Sequence, residues 1–288
     1  MTYEVEECDF PIAGKITGDG FTVEIRYDEY PEQPRWGDAN IGTMLTSHPN
    51  YQFGGDDDIT ADGPLDTTID CPRCAGSGED PDRYALWRVK PCGHERVGSG
   101  TEDSMQSEAD ILGSDYYVEP APCPKCEGDG WVEVGVYEWF QKKHGATVVL
   151  PLFLLDHSGL RMRAGSNMGS VRSTDRFIGD SAGWDTSFIG FIFDTPEAIE
   201  RTGCPLDKVE EGLRSEINEY DSYLMGDVYF VTDDIPEAPS KEQGAIGGFI
   251  GFKYACEQAQ EMAEWAEQAV AEERAERARC AASDIITK

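Results

Sequence analysis

Positive charge is the scarcest property of this sequence. Its 288 residues include 24 Lys and Arg against 56 Asp and Glu, which gives a formal net charge of −32. A field of this sign repels nucleic acid and anionic membranes, and it attracts basic partners or cations. We therefore expect neither direct nucleic-acid binding nor a membrane role. The acidity has two explanations: a solvated, salt-adapted surface, or a surface that imitates the phosphate backbone and competes for a DNA-binding protein.

Long apolar runs are also lacking. The most apolar stretch, "TVVLPLFLL" at 147–155, is too short to cross a bilayer and contains Pro151. The opening residues "MTYEVEECDF" are acidic and have no apolar run, so no signal peptide is expected. These features predict a cytoplasmic protein in a reducing compartment. There, nine cysteines indicate metal binding and free thiols rather than a disulfide framework.

Complete catalytic motifs are missing as well. The sequence has no Walker A motif, no dinucleotide-binding fingerprint and no H-E-x-x-H zinc motif. "GDSAG" at 179–183 matches the G-x-S-x-G nucleophile elbow, which needs a strand before it and a helix after it. A glycine- and arginine-rich loop precedes it and a predicted strand follows. The context therefore predicts a turn, not a nucleophile at Ser181.

"LLDHSG" at 154–159 places polar residues where a buried strand is predicted to end, a common location for site residues. Adjacent strand residues point to opposite faces, so Asp156, His157 and Ser158 cannot form a triad among themselves. Asp156 or His157 could instead join His48, Asp28 or Asp185 to bind a metal or move protons. A strand-terminating turn with local hydrogen bonds explains the same residues.

The cysteines carry the most specific pattern in the chain. "CPRCAGSG" at 71–78 and "CPKCEGDG" at 123–130 are two C-P-x-C-x-G-x-G units. Zinc takes four ligands in a tetrahedron, and a two-residue spacer lets both sulfurs of a pair reach one ion. The glycines let the backbone turn its amides toward the sulfurs. We therefore predict one structural Zn²⁺ held by Cys71, Cys74, Cys123 and Cys126, with no position open for substrate.

Cys92 and His94, in "PCGHE", form a further ligand pair that cannot complete a tetrahedral site alone. The two eight-residue units resemble the zinc region of DnaJ-type chaperones, whose repeat is C-x-x-C-x-G-x-G. That family uses four units for two zinc ions and has an "HPD" motif. This sequence has two units and no "HPD", so the resemblance does not imply chaperone function.

A second resemblance lies outside the zinc segment. "YDEYPEQPRWGDANIGTM" (27–44), "LPLFLLDHSGLRM" (150–162) and "INEYDSYLMGDVY" (217–229) are its main blocks. Together they resemble a family of uncharacterised proteins common in bacteriophage and mobile-element genomes. The resemblance implies a viral or mobile-element origin, hence the host cytoplasm, and it implies no catalytic residues. It also implies that the zinc segment is inserted between the first and second of these blocks, or elaborated there.

Hydrophobic periodicity predicts an α+β fold with a mixed or antiparallel sheet. The expected core domain comprises residues 1–65 and 140–245, the zinc-binding insertion 66–139, and a C-terminal helix region 246–288. Strands are predicted at 21–30, 131–140, 146–156, 187–195 and 227–234, and a helix from Val209 to Leu224. Residues 79–120 show little periodicity, and "VGSGTEDSMQSEAD" at 97–110 is predicted to be a mobile loop. The last helix is expected from about Gly248 to about Arg279.

That helix has a seam of mostly small residues: Phe252, Ala255, Ala259, Met262, Ala266 and Ala269. Such a seam permits close packing on the protein's own domain or against a second subunit, which would make a homo-oligomer.

The sequence therefore favours an acidic, zinc-binding accessory protein of a phage or mobile element that acts by binding a host protein. Counter-defence by DNA mimicry is the concrete form of this hypothesis. The alternative is a metal-assisted hydrolase using His48, Asp156 and His157. A third interpretation is a salt-adapted adaptor protein.

Overall fold

The computed structural model describes residues 3–55, 58–60, 65–166, 177, 180, 185–238 and 244–286. The chain divides into two compact units, of which unit 1 comprises Met1–Asp62 and Val148–Lys288, and unit 2 comprises Gly63–Thr147. Unit 2 contains the predicted insertion, but it extends beyond residue 139 and takes in a helix at 136–144. The C-terminal helix belongs to unit 1 rather than forming a separate body.

The elements of unit 1 are the strands β1 (Glu6–Glu7), β2 (Ile12–Gly18), β3 (Phe21–Tyr27), β4 (Gly42–Thr46) and β5 (Ile59–Thr60), followed after unit 2 by β11 (Val149–Asp156), β12 (Leu160–Ala164), β13 (Thr186–Asp194), α3 (Pro196–Thr202), α4 (Val209–Leu224), β14 (Val228–Asp234), β15 (Ala245–Ile250) and α5 (Phe252–Ile286). Unit 2 contains β6 (Thr68–Asp70), β7 (Glu79–Lys90), β8 (Gly93–Gly100), α1 (Glu102–Leu112), β9 (Tyr116–Pro122), β10 (Trp131–Glu133) and α2 (Val136–His144).

Unit 1 is built from two five-stranded sheets. The first has the order β1-β2-β3-β14-β15 and is antiparallel throughout. The second has the order β12-β11-β13-β4-β5 and is antiparallel except for the parallel pair β4–β5. The predicted α+β class with a mixed or antiparallel sheet is therefore confirmed.

Each sheet of unit 1 buries its apolar face under one helix. On the second sheet, α4 buries Val209, Leu213, Ile217 and Tyr220, a single stripe at helical spacing. On the first sheet, α5 buries a row of small residues against Ile16, Val23, Ile25 and Val231. The small residues are Ala255, Ala259, Ala263, Ala266, Ala269 and Val270. The alanine seam thus packs on the protein's own domain, while Met262 lies at its half-buried margin.

A buried ion cluster fixes the loop that precedes β4. The Arg35 side chain is 2% exposed, and its guanidinium donates to Asp58 at 2.7 and 3.1 Å and to Glu216 on α4 at 2.7 Å. Arg35 also donates to the carbonyl of Gly42 at 2.6 Å, and Asp58 accepts from the amide of Met44. The bidentate geometry and the backbone donors offset the cost of burying these charges.

Unit 2 consists of two small antiparallel sheets and two helices. One sheet has the order β8-β7-β9, and α1 packs on it through Met105 and Ala109 against Leu86. The other sheet is the pair β6–β10. The prediction of a mobile loop at 97–110 was wrong, because these residues form the end of β8 and most of α1, whose only buried residues are Met105 and Ala109 and which therefore shows no apolar stripe.

Two further boundaries differ from the sequence predictions. The alternating stretch 131–140 forms a strand only to Glu133, and α2 follows with Trp139 and Phe140 buried. The last helix begins at Phe252 rather than near Gly248, because residues 245–250 pair with β14 as a strand. Gly248 and Gly251 both have positive φ, which is incompatible with an α-helix, so α5 can begin only after Gly251.

Candidate metal centre

The two cysteine units form a pair of matching turns in unit 2, which we call the first knuckle (71–78) and the second knuckle (123–130). The first follows β6 and the second follows β9. They are joined reciprocally: the amide of Cys71 donates to the carbonyl of Gly130, and that of Cys123 donates to the carbonyl of Gly78, both at 2.8 Å. Antiparallel pairing of β6 with β10 closes the base of the arrangement.

The last glycine of each knuckle lies where the two knuckles approach each other most closely. Gly78 has a φ of 77° and Gly130 a φ of 84°, in the left-handed region that favours glycine. A Cβ at Gly78 would overlap the carbonyl oxygen of Gly128, and a Cβ at Gly130 would overlap that of Gly76. The last glycine of each C-x-x-C-x-G-x-G unit is therefore required by the close approach of the other knuckle.

The four sulfurs have the geometry of a tetrahedral thiolate site. The Sγ atoms of Cys71 and Cys123 are 3.8 Å apart, and those of Cys74 and Cys126 are 3.7 Å apart. All four sulfurs lie within 4.8 Å of one another, and all four residues are buried. A tetrahedron with metal–sulfur bonds of about 2.3 Å has sulfur–sulfur edges of about 3.8 Å. The four cysteines could therefore hold one metal ion.

The surroundings of the sulfurs shift the pKa values of two of the thiols in opposite directions. Burial acts to raise the pKa of the Cys71 thiol, but hydrogen bonds from the amides of Arg73 and Cys74, together with those to the sulfurs of Cys74 and Cys123, lower it to about 7. Burial raises the pKa of the Cys126 thiol to about 11, although the amide of Gly130 donates to its sulfur at 3.3 Å. Because thiolate rather than thiol sulfur binds metal ions, an ion bound by the four cysteines would have to displace the proton of Cys126.

An ion pair anchors the first knuckle to β7. Arg73, between the first two cysteines, donates to both carboxylate oxygens of the buried Asp80 at 2.8 and 3.0 Å. This pairing holds the pKa of Asp80 below its usual range. Sequence reasoning missed both residues. The available signal was a basic residue inside the first knuckle followed by the acidic run "EDPD".

Cys92 and His94 are not part of the cluster. Both are exposed at the end of the β7–β8 hairpin, and the Nδ1 of His94 lies 3.0 Å from the hydroxyl of Tyr117. Within the described ranges of the chain, the four knuckle cysteines are the one group of three or more His, Cys, Asp or Glu residues close enough to share a metal ion.

The other predicted site residues lie in unit 1, at the end of β11. The hydroxyl of Tyr51 donates to Asp156 at 3.2 Å, and the ring of Tyr51 stacks on that of His48 with centroids 5.0 Å apart. His157 instead pairs through Nδ1 with Asp185 at 3.2 Å. The structure thus links His48 to Asp156 through Tyr51, and turns His157 to a separate carboxylate.

Two further candidate residues form local turns. Ser158 follows His157 in the left-handed region with a φ of 53°, as in a strand-terminating turn. Asp28 accepts the amide of Tyr30 in a local turn. Ser181 lies outside the described residues.

Comparison of the chain with known protein families, with curated proteins and with solved structures finds no match. Among the described residues, no helix has the length and apolar character needed to cross a membrane.

Proposed function

We propose that the four knuckle cysteines bind one structural Zn²⁺. The donor set supports this choice of metal, because four thiolates at tetrahedral spacing suit zinc and leave no position for substrate. The ion would cross-link the two ends of the segment from 79 to 122, which carries the β8-β7-β9 sheet and α1.

Metal analysis of the purified chain tests the zinc assignment. We expect one zinc per chain, and tetrahedral thiolate absorption bands after replacement by Co²⁺. Cys74→Ser should lose the metal, whereas Cys92→Ser, which removes an exposed thiol of the same unit, should keep it. Iron or no metal in freshly purified protein would contradict the assignment.

For the protein as a whole, we propose a phage or mobile-element accessory protein that binds a basic, nucleic-acid-binding protein of the host, as in counter-defence by DNA mimicry. The observation that carries this proposal is the exposed side of α5. Between Tyr254 and Glu273 the helix has six Glu and no Lys or Arg. We call its exposed carboxylates the acidic face of α5: Glu257, Glu261, Glu264, Glu267 and Glu272.

The acidic face presents its carboxylates in a line along the helix, as a nucleic-acid strand presents its phosphates. From Glu257 to Glu272 the helix advances about 22 Å, so the five exposed carboxylates are on average about 6 Å apart along the axis. A DNA strand carries one phosphate about every 3.4 Å along its axis. A protein surface built to bind phosphates would therefore meet a continuous line of negative charge, at a lower density than that of DNA.

Capture of host proteins on the immobilised chain tests this function. We expect identified nucleic-acid-binding proteins that are released by duplex DNA and by about 1 M salt, where the Debye length is about 3 Å. The triple variant Glu257→Gln, Glu264→Gln, Glu272→Gln should lose them. The control triple Glu197→Gln, Glu200→Gln, Glu219→Gln removes as much exposed charge from α3 and α4 and should retain them. Capture that resists both salt and DNA would contradict the proposal.

One observation favours a hydrolase with a histidine general base as a second candidate, although the described residues beside it include no group of three metal ligands. The pair His157–Asp185 opens onto a cleft of about 610 Å³ that Ser158 and Arg161 also line. A carboxylate that orients a histidine allows the histidine to act as a general base toward a nucleophile. Hydrolysis of nitrophenyl esters or phosphoesters with added Mn²⁺ or Zn²⁺ would support this candidate if His157→Gln abolished it and Cys92→Ser did not. Failure to turn over any of these substrates would count against it.

A further inference from the structure

A second cleft of unit 1 lies where the edge strand β15 meets α5, and we call it the β15–α5 cleft. Its volume is about 500 Å³. The first sheet contributes Asp233 from β14 and Ile246 from β15. The helix contributes one flank, formed by Gln258, Glu261, Met262 and Trp265. These residues share a side of the helix because Glu261 and Met262 each lie three or four residues from Gln258 and from Trp265.

Asp233 is the polar group that this cleft leaves unsatisfied. The residue is 6% exposed, and its Oδ1 accepts the amide of Gly244 at 2.5 Å. Its Oδ2 is buried and has no hydrogen-bond partner among the described residues. Buried carboxylate oxygens are ordinarily paired, because desolvation without a partner is costly. A ligand that brings a donor into the cleft would supply the missing partner.

The walls select for a cation on an apolar stem. Ile246 is 55% exposed and Trp265 is 45% exposed, which leaves two large apolar side chains beside the carboxylate. An ammonium or guanidinium group is attracted both by a carboxylate and by an indole face, and its methylene stem packs on apolar side chains. Glu261 adds a second carboxylate at the exposed rim. No Lys or Arg of the described chain lines the cleft.

The cleft is continuous with the acidic face of α5, since Glu261 belongs to both. We infer that the β15–α5 cleft receives a lysine or arginine side chain of a partner protein, with the cationic head on Asp233 and the stem against Trp265. This inference rests on the proposed function for its partner, a basic protein. The cleft would bind one specific side chain of the partner, whereas the acidic face of α5 offers only a row of negative charges.

Titration of the intact chain with short peptides tests the inference. The probes are acetylated, amidated pentapeptides with Arg, Lys or citrulline between alanines. Citrulline keeps the shape of arginine without its charge. We expect the Arg and Lys peptides to shift the NMR resonances of the Trp265 indole and the Gly244 amide. The citrulline peptide should bind at least about tenfold more weakly, because it leaves the buried carboxylate of Asp233 without a cationic partner.

Matched variants locate the binding. Asp233→Asn should weaken the Arg peptide at least about tenfold. Asp234→Asn removes the same charge from the next, exposed residue of β14 and should leave binding unchanged. Trp265→Leu, at a half-exposed position, should weaken binding about threefold or more. A structural role of Asp233 would lower the melting temperature of Asp233→Asn, whereas an anchoring role predicts weaker binding with the melting temperature kept.

Three outcomes would overturn the inference: equal binding of the Arg and citrulline peptides, unchanged binding to both Asp233→Asn and Trp265→Leu, or spermidine binding as tightly as the peptides, which would make the cleft a small-cation site. The result is separable from the proposed function. Peptide binding with no DNA-sensitive capture of host proteins would uphold the cleft and reject the function. DNA-sensitive capture of host proteins without peptide binding would support the function and reject the cleft.

Discussion

Gly130 lies at the point where the second knuckle comes closest to the first. An added Cβ would overlap the carbonyl oxygen of Gly76, so Gly130→Ala must push the knuckles apart. We expect a loss of about 1–3 kcal/mol in metal-loaded stability, the usual cost of forcing extra atoms into a packed site. Thermal unfolding of the zinc-loaded chain and competition with a chelator measure this loss.

Gly128→Ala is the matched control for that change. Gly128 also has a positive φ, but a Cβ there would approach only the Pro122 side chain, at 3.6 Å. Both variants carry the backbone strain of alanine at positive φ, so their difference isolates the steric clash. Equal losses in the two variants would show that conformation alone explains the last glycine of the motif.

The buried Arg35 gives a second prediction at this scale. Arg35→Ala leaves the carboxylates of Asp58 and Glu216 buried without their cation, which costs about 3–5 kcal/mol of unfolding free energy. Arg201→Ala removes an exposed arginine that donates to the carbonyls of Asp38 and Asn40 in the same loop, and it should cost less than about 1 kcal/mol. Denaturant unfolding distinguishes the two. A small effect of Arg35→Ala would mean that water reaches the cluster.

The residue scale also shows where sequence reasoning stopped. The cysteine ligands were predictable, because two units of fixed spacing define both the donors and the turn chemistry. Arg35, Asp58 and Glu216 were not, since the pairing spans 23 and 181 positions and no local pattern marks a buried ion pair. Asp233 was hidden for the same reason: in sequence it is one acidic residue in a strongly acidic chain.

At the scale of elements, the sequence predicted those that bury many of their residues. The α4 stripe was predicted because its core-facing residues repeat at helical spacing, and the strands β11 and β13 because they are short apolar runs that are buried almost continuously. The sheet β8-β7-β9 was missed because its strands have little buried face, and α1 because only Met105 and Ala109 are buried. The start of α5 was misplaced because its apolar pattern continues from the preceding strand β15.

The alanine seam of α5 gives the prediction at this scale. Ala263 is fully buried against the first sheet, so Ala263→Leu should overpack the interface and cost about 1–3 kcal/mol. Ala271→Leu makes the same change on the exposed side of the same helix and should be nearly neutral. Denaturant midpoints measure both. A neutral Ala263→Leu would mean that the helix can shift away from the sheet, and close approach would then not explain the small residues.

At the scale of the whole molecule, the two units differ in what keeps them folded. Unit 1 has two extensive apolar cores, whereas the core under the β8-β7-β9 sheet of unit 2 is only Leu86, Met105 and Ala109 with three half-buried neighbours, and α2 adds the buried Trp139 and Phe140. A core of that size offers little hydrophobic stabilisation against the entropy of ordering about 80 residues. Cross-linking by a metal would supply the difference, as in other small zinc-dependent folds.

Metal removal should therefore unfold unit 2 selectively. On chelation, we expect hydrogen exchange to accelerate at the amides of 71–78, 123–130 and β7, while the amides of β11, β13 and β3 stay protected. Cys74→Ser should show this pattern without chelator, and Cys92→Ser should match the unmodified chain. Cysteine thiols must lose their protons to bind metal. The same loss of protection in unit 2 should therefore appear as the pH falls and protons compete with the metal for sulfur. Retained protection throughout unit 2 after verified metal loss would show that the β8-β7-β9 sheet and α1 fold without the ion. Simultaneous loss in β11 and β13 would show that the stability of unit 1 also depends on the metal.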